Sequence, residues 1–236
     1  MTTVDTELIP QSRHPQYRLG RHVEHDPRSW EHDAAHLVPR TVQVRTVEWK
    51  RHSPILNQGD LGSCTGNAMA GWLACEPGCT SDAEGSVYTE DFARKLYSIA
   101  TKVDAFPGEW PPDDTGSSGL AVAKAARGLG LIRRYSWAFT TDGLIRALML
   151  GPVIVGVPWY ESMFNPDSNG YVSATVDSGL AGGHEFLIRG YDVIMHRFLA
   201  DNSWGDGWGA GGSFKFTRST WDILRGQRAD VTVPHV

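Results

Sequence analysis

The hydrophobic pattern changes period part-way along the chain, and this limits the folds open to it. Up to residue 150, apolar residues recur at helical spacing. Residues 65–75 do so through Ala68, Trp72 and Cys75, and residues 88–101 through Tyr88, Phe92, Leu96 and Ile99. A third helix is predicted over 120–127, stopped by Gly128 and Gly130, and a fourth over 142–150 with Thr141 or Asp142 as cap. Beyond Gly151 the runs have strand length: 152–157 is continuously apolar, 186–189 and 197–200 read as strands, and 213–217 alternates Phe214 with Phe216. Val42, Val44 and Val47 suggest a further strand or extended stretch. Helices first and strands later predict an α+β chain of two subdomains, about 64–135 and about 136–236, with a cleft between them. Residues 54–62 and the Pro-, Asp-, Gly- and Ser-rich 106–119 are loops.

Composition narrows the class. With 41% hydrophobic and 21% charged residues over 236 positions, the chain can bury a sizeable core. A net charge of -5 gives no reason to expect nucleic acid or an anionic membrane as partner. No apolar run approaches the ~18 residues of a membrane helix. The first residues carry Asp5, Glu7 and Pro10 rather than a signal-peptide core. The expected location is the cytoplasm, or outside the cell by a route without a classical signal. Arg greatly outnumbers Lys, which hints at a bacterial or phage source.

Residues 1–40 stand apart. They hold five of the nine histidines (His14, His22, His25, His32 and His36) and lack periodicity. They are expected to form an N-terminal arm, either a surface wrap with mobile parts or a short regulatory segment. His32 and His36 raise the question of a metal, but isolated pairs of this kind are usually solvated, and no metal or cofactor is expected.

Three cysteines, Cys64, Cys75 and Cys79, do not make a disulfide framework. Cys64 ends the loop Asn57-Gln58-Gly59-Asp60-Leu61-Gly62-Ser63 and opens a helix. Unpaired N–H groups there favour a thiolate over a thiol of pKa ~8.5. Gly182-Gly183-His184 places an imidazole before an apolar strand, and Asn202-Ser203-Trp204-Gly205 follows another. Cysteine, histidine and asparagine in this order suit a nucleophile, a proton shuttle and an orienting amide.

These segments resemble the papain-like cysteine peptidases. Val47-Glu48-Trp49-Lys50 is similar to the family's first strand. Asn57-Gln58-Gly59 with Gly62-Ser63-Cys64 resembles its nucleophile loop, Gly183-His184 with Gly190-Tyr191-Asp192 its histidine strand, and Asn202-Ser203-Trp204-Gly205 with Gly207-Trp208-Gly209 its asparagine motif. The likeness spans about 41–236. It implies a helical half carrying the nucleophile, a barrel-like strand half and a site in the cleft. Cys64 would attack, His184 would act as base and acid, Asn202 would orient His184, and Gln58 would join the Cys64 N–H in the oxyanion hole. Trp204 would shield the His184–Asn202 bond and Trp208 would wall the leaving-group side. Ser117 and Ser118 would pair with extended substrate, and Gly183, Glu185 and Gly156 would line its pockets, Gly156 making the floor roomier. The implied partner is a peptide or protein substrate; nothing fixes an oligomeric state.

The chain also departs from the family pattern. Thr65 replaces a Trp after the nucleophile. Leu61 replaces a Cys, so the usual disulfide of the helical half cannot form. Cys75 and Cys79 could bond locally or remain free. Cys64 and His184 are 120 positions apart (184 − 64), fewer than the family's ~130–150, which predicts trimmed loops. Glu185 stands where a small apolar residue is usual; it would draw Lys or Arg into a pocket, or point to solvent and pair with Arg189. The arm is shorter than the family's helical prosegment. Other readings are a Cys-His-Asn amidase acting on peptidoglycan peptides and an inactive binding scaffold.

Overall fold

The computed structural model describes residues 3–11, 14–36, 38, 39 and 41–236. Strand β1 (Asp5–Glu7) pairs antiparallel with β2 (Val23–His25), closing a long hairpin from the N-terminal arm. Two 3₁₀ turns follow, at Pro27–His32 and Ala34–His36. The predicted strand around Val42 shrinks to β3 (Val47–Glu48), which pairs with a central strand.

Helix α1 (Cys64–Leu73) is buried along its whole length, as befits CTGNAMAGWL with no charged side chain. Small residues let neighbours come close: a Cβ on Gly66 would overlap the Ala93 carbonyl. Around α1 lie the short α2 (Asp82–Gly85), then α3 (Glu90–Val103, capped by Thr89) and α4 (Gly119–Gly128, capped by Ser118). Strand β4 (Arg134–Trp137) precedes α5 (Thr141–Leu148). The cap of α5 is Thr140, not Thr141 or Asp142: its hydroxyl accepts the Gly143 N–H at 3.0 Å, so the helix starts one residue earlier than the apolar pattern shows.

The rest is β5 (Val153–Tyr160), β6 (Leu180–Asp192), β7 (Arg197–Asp201), β8 (Ser213–Thr217), α6 (Arg218–Gly226) and β9 (Asp230–His235). One antiparallel sheet runs β4-β9-β5-β6-β7-β8, with β3 also on β6. The division at 135/136 cuts through β4, which belongs to this sheet, and β3 adds earlier residues to the strand half. β6 starts well before Phe186, so His184 lies within the strand rather than ahead of it.

Alternation explains why β5 is apolar throughout. Val153, Val155 and Val157 join Phe186 and Ile188 in the strand-half core; Ile154 and Leu187 face the helical core. α1 packs across β6. Among the described residues no helix is long and apolar enough to cross a membrane.

Candidate active site

Alternation along β6 sends His184 and Glu185 to opposite faces. His184 follows Phe186 into the aromatic core. Its ring stacks on Trp204 at 4.7 Å and meets Trp159 edge-on at 4.9 Å. Its Nε2 lies 2.7 Å from Asn202 Oδ1. The same oxygen accepts the Ser203 N–H at 2.8 Å, which fixes it as an acceptor. Nε2 must therefore carry the hydrogen, and Nδ1 the basic lone pair. Nδ1 makes no hydrogen bond among the described residues.

Cys64 is the first residue of α1, with a sulfur in reach of the backbone N–H groups of Glu185 and Thr65. The nucleophile candidate thus touches the residue that follows the histidine. Gln58 is fixed at both ends: Oε1 accepts from Ser203 Oγ at 2.7 Å and Nε2 donates to Leu61 O at 2.8 Å. One amide hydrogen remains for an oxyanion. Asp114 secures the loop, accepting the Gly62 N–H at 2.9 Å and the Tyr97 hydroxyl at 2.7 Å.

The expected thiolate is not what this state holds. Cys64 is fully buried, and desolvation, reinforced by the Glu185 charge, pushes its thiol far above the usual range. The dipole of α1 does not offset that. Burial likewise lowers the His184 imidazole to about 4, against the Asn202 bond.

The arm crosses over this site. Gly20 and Arg21 both donate their N–H to Gly183 O, at 3.1 and 2.9 Å. Ser117 N donates to Gly20 O at 2.8 Å and His22 N to Ser117 O at 2.7 Å, a parallel bridge centred on Arg21. Trp204 Nε1 donates to Arg18 O at 3.1 Å, and Tyr17 stacks on Trp204 at 4.7 Å. So Ser117 and Gly183 do pair with an extended strand, and here it is the chain's own. Ser118 caps α4 and donates to Glu24 of β2. Beside the site, Tyr17 and His14 of the arm stack on Trp204 and Phe164; Trp208, expected in the wall, is buried against Trp204 with its N–H on Phe164 O at 2.8 Å.

Glu185 neither reaches solvent nor pairs with Arg189, which binds Asp201 at 2.9 Å and Glu48 at 2.7 Å. It is fully buried near Gly156, Asp230 and Arg21. Its carboxyl is pushed up by burial and by Asp230, with Arg21 opposing. Arg21, Asp114 and Asp230 carried no signal in the sequence; only the strand register and the path of the arm reveal them. All three cysteines are free. Among the described residues no three His, Cys, Asp or Glu side chains are grouped to hold a metal.

Residues 123–229 match the family described as papain family cysteine protease, a stretch that includes His184 and Asn202. The fold is similar to Xylellain, a cysteine protease from Xylella fastidiosa (TM-score 0.59, 20% identity, 81% of this chain and 85% of that one). It is also similar to digestive procathepsin L 3 of Tenebrio molitor larval midgut (TM-score 0.59, 16% identity, 84% and 72%). The chain has a papain-like fold, and its residues 123–229 resemble the papain family. Among curated relatives, Gamete and mating-type specific protein A of Dictyostelium discoideum is 25% identical over 74% of this chain and 42% of its own length. Cysteine proteinase 1 of Zea mays is 22% identical over 79% and 59%. This papain-like chain thus spans about half the length of the curated relatives it matches.

Proposed function

We propose that this protein is a cysteine peptidase held latent by its own N-terminal arm. The observation that carries the reading is the Asn202–His184 bond, which leaves a basic Nδ1 on the histidine whose chain neighbour contacts the Cys64 sulfur. In the open cleft, Nδ1 takes the thiol proton as sulfur attacks a peptide carbonyl. The remaining Gln58 amide hydrogen and the Cys64 N–H, which has no intrahelical acceptor, receive the oxyanion. Nδ1 then gives its proton to the departing amine. Water, deprotonated by the same nitrogen, cleaves the thioester and restores the thiol.

A polypeptide seated by backbone pairing with Ser117 and Gly183 supports a peptide substrate. It also explains why the arm survives. The Arg18 carbonyl is held by Trp204, that of Gly20 by Ser117 and that of Arg21 by Gln11 Nε2 at 3.3 Å. The Gln58 amide meets only Leu61 and Ser203. Among the described residues, no arm carbonyl is bonded to the Gln58 amide.

Profiling on a peptide library under reducing conditions tests the reading. An arm-loosened Arg21→Ala protein is expected to cleave peptide bonds, the wild type more slowly, and Cys64→Ser on the Arg21→Ala background not at all. Cleavage that persists in the serine variant would reject the assignment.

A further inference from the structure

Three strands bring three positions into one row. Glu185 of β6 stands opposite Gly156 of β5, and Gly156 stands opposite Asp230 of β9. Cross-strand partners project to the same face, so two carboxylates flank a position without a side chain. This face looks toward α4: a Cβ on Gly119 would lie 2.6 Å from Glu185 Oε1 and 3.2 Å from Asp230 Oδ1. A Cβ on Gly156 would meet Arg21 Nε at 2.5 Å, Glu185 Oε2 at 2.9 Å and Asp230 Oδ2 at 3.1 Å. The gap over Gly156 is therefore a socket, and the Arg21 side chain fills it.

The fit is chemical but incomplete. Arg21 is fully buried; its Nη2 bonds the Asp230 carboxylate and, at 2.9 Å, the Arg228 carbonyl. Among the described residues, Nε and Nη1 of Arg21 find no hydrogen-bond partner, nor does either Glu185 oxygen or Asp230 Oδ1. The socket keeps acceptors to spare for a better-placed cation. An apolar occupant would instead leave the buried Glu185 carboxyl and the partly buried Asp230 carboxylate without a cation, at a desolvation cost.

Resting on the peptidase reading, we propose that this socket selects substrates with Arg or Lys at the residue paired with Ser117, Asp230 being the main determinant and Glu185 the second. Gly20 packs on Gly62 of the nucleophile loop and Arg21 is the next residue along. The selected side chain is thus one residue removed from that lying over the nucleophile.

The test uses full-length Arg21→Ala and two sets of reporter peptides, with X as Arg, Lys, Gln, Leu or Phe placed one residue before the cleaved position in one set and one residue after it in the other, because the arm fixes the separation of socket and nucleophile but not the direction of a substrate chain. In one set, the expected kcat/KM for X as Arg or Lys exceeds that for Leu by about a hundredfold, the scale of one hydrogen bond to a charged group. Adding Asp230→Asn is expected to cut that ratio tenfold or more, Glu185→Gln less. Preference for Leu or Phe in both sets, or a basic preference untouched by both substitutions together, overturns the proposal. If no X is cleaved, the peptidase reading fails, and the socket is judged on the arm itself. Iodoacetamide labelling of Cys64 is then compared in Arg21→Lys and Arg21→Leu. The lysine arm is expected to protect like the wild type and the leucine arm to label at least tenfold faster. Equal protection by leucine overturns the socket's charge selection.

Discussion

Two residues with no chemistry of their own fix the geometry of the reacting groups. Asn202 Oδ1 serves both His184 and the Ser203 backbone, and Ser203 Oγ holds Gln58. Loss of an oxyanion donor typically lowers kcat about 10²–10³-fold. On the Arg21→Ala background, Gln58→Ala is expected to show a fall of that size. Ser203→Ala is expected to show a smaller one, since the Gln58 amide keeps its Leu61 contact. Steady-state rates on one good substrate check both. The proposed reacting residues were legible because Cys64, His184 and Asn202 each sit in a short local motif that can be read without the fold. Asp230 was not, because an aspartate beside Val231 and Val233 gains meaning only through its register with Gly156. The burial of Cys64 escaped the sequence for a related reason: helix position is local, whereas burial depends on segments distant in sequence.

At the scale of elements, long periodic stretches came through and short or sparse ones did not. The four expected helices form within two residues of their predicted ends. By contrast, α6 buries only Thr220, Trp221 and Leu224, too thin a stripe to stand out, and β9 follows a run of charged residues. Capping offers a clean check. Thr140→Ala removes the hydroxyl that accepts the Gly143 N–H and is expected to destabilise by about 1 kcal/mol. A lower urea midpoint with an unchanged slope would show it. The arm makes a sharper element-level prediction. A Cβ on Gly20 would collide with the Gly62 carbonyl, and one on Gly183 with the Arg21 carbonyl. Gly20→Ala is therefore expected to unseat the arm and raise Cys64 alkylation by iodoacetamide at least tenfold. Wild-type protection in that variant would mean that residues 19–22 do not control access.

Over the whole molecule, the arm links the two halves, and its titratable groups give docking a pH dependence whose sign can be worked out. His22 Nδ1 accepts the Ile9 N–H at 3.1 Å while Nε2 lies 2.7 Å from Thr115 O, so the docked ring is neutral. Burial lowers its pKa, the nearby Arg21 adds to that and the Thr115 bond opposes it. The His184 imidazole, lowered by burial to about 4, has the same preference. A group whose docked pKa lies below its ordinary value near 6.5 binds its proton more readily once the arm lifts. Acid thus favours the open form, by at most tenfold per pH unit for each proton taken up. Asp104 acts in the opposite sense, as does Glu185, whose carboxyl is pushed up by burial and by Asp230. Desolvation and the Glu24 charge raise Asp104 to about 6, although Ser117 Oγ donates to it at 2.7 Å, so the docked state favours its protonated form. Hydrogen exchange at the Arg21 and His22 amides, corrected for the intrinsic rate, follows the balance. Opening is expected to increase about tenfold from pH 7 to pH 5. His22→Gln should flatten the dependence, because an amide can still accept from Ile9 and donate to Thr115 without titrating. Asp104→Asn should steepen it, because an opposing proton is gone. Opening that slows in acid, or a His22→Gln profile identical to the wild type, would show that these histidines do not govern release of the arm.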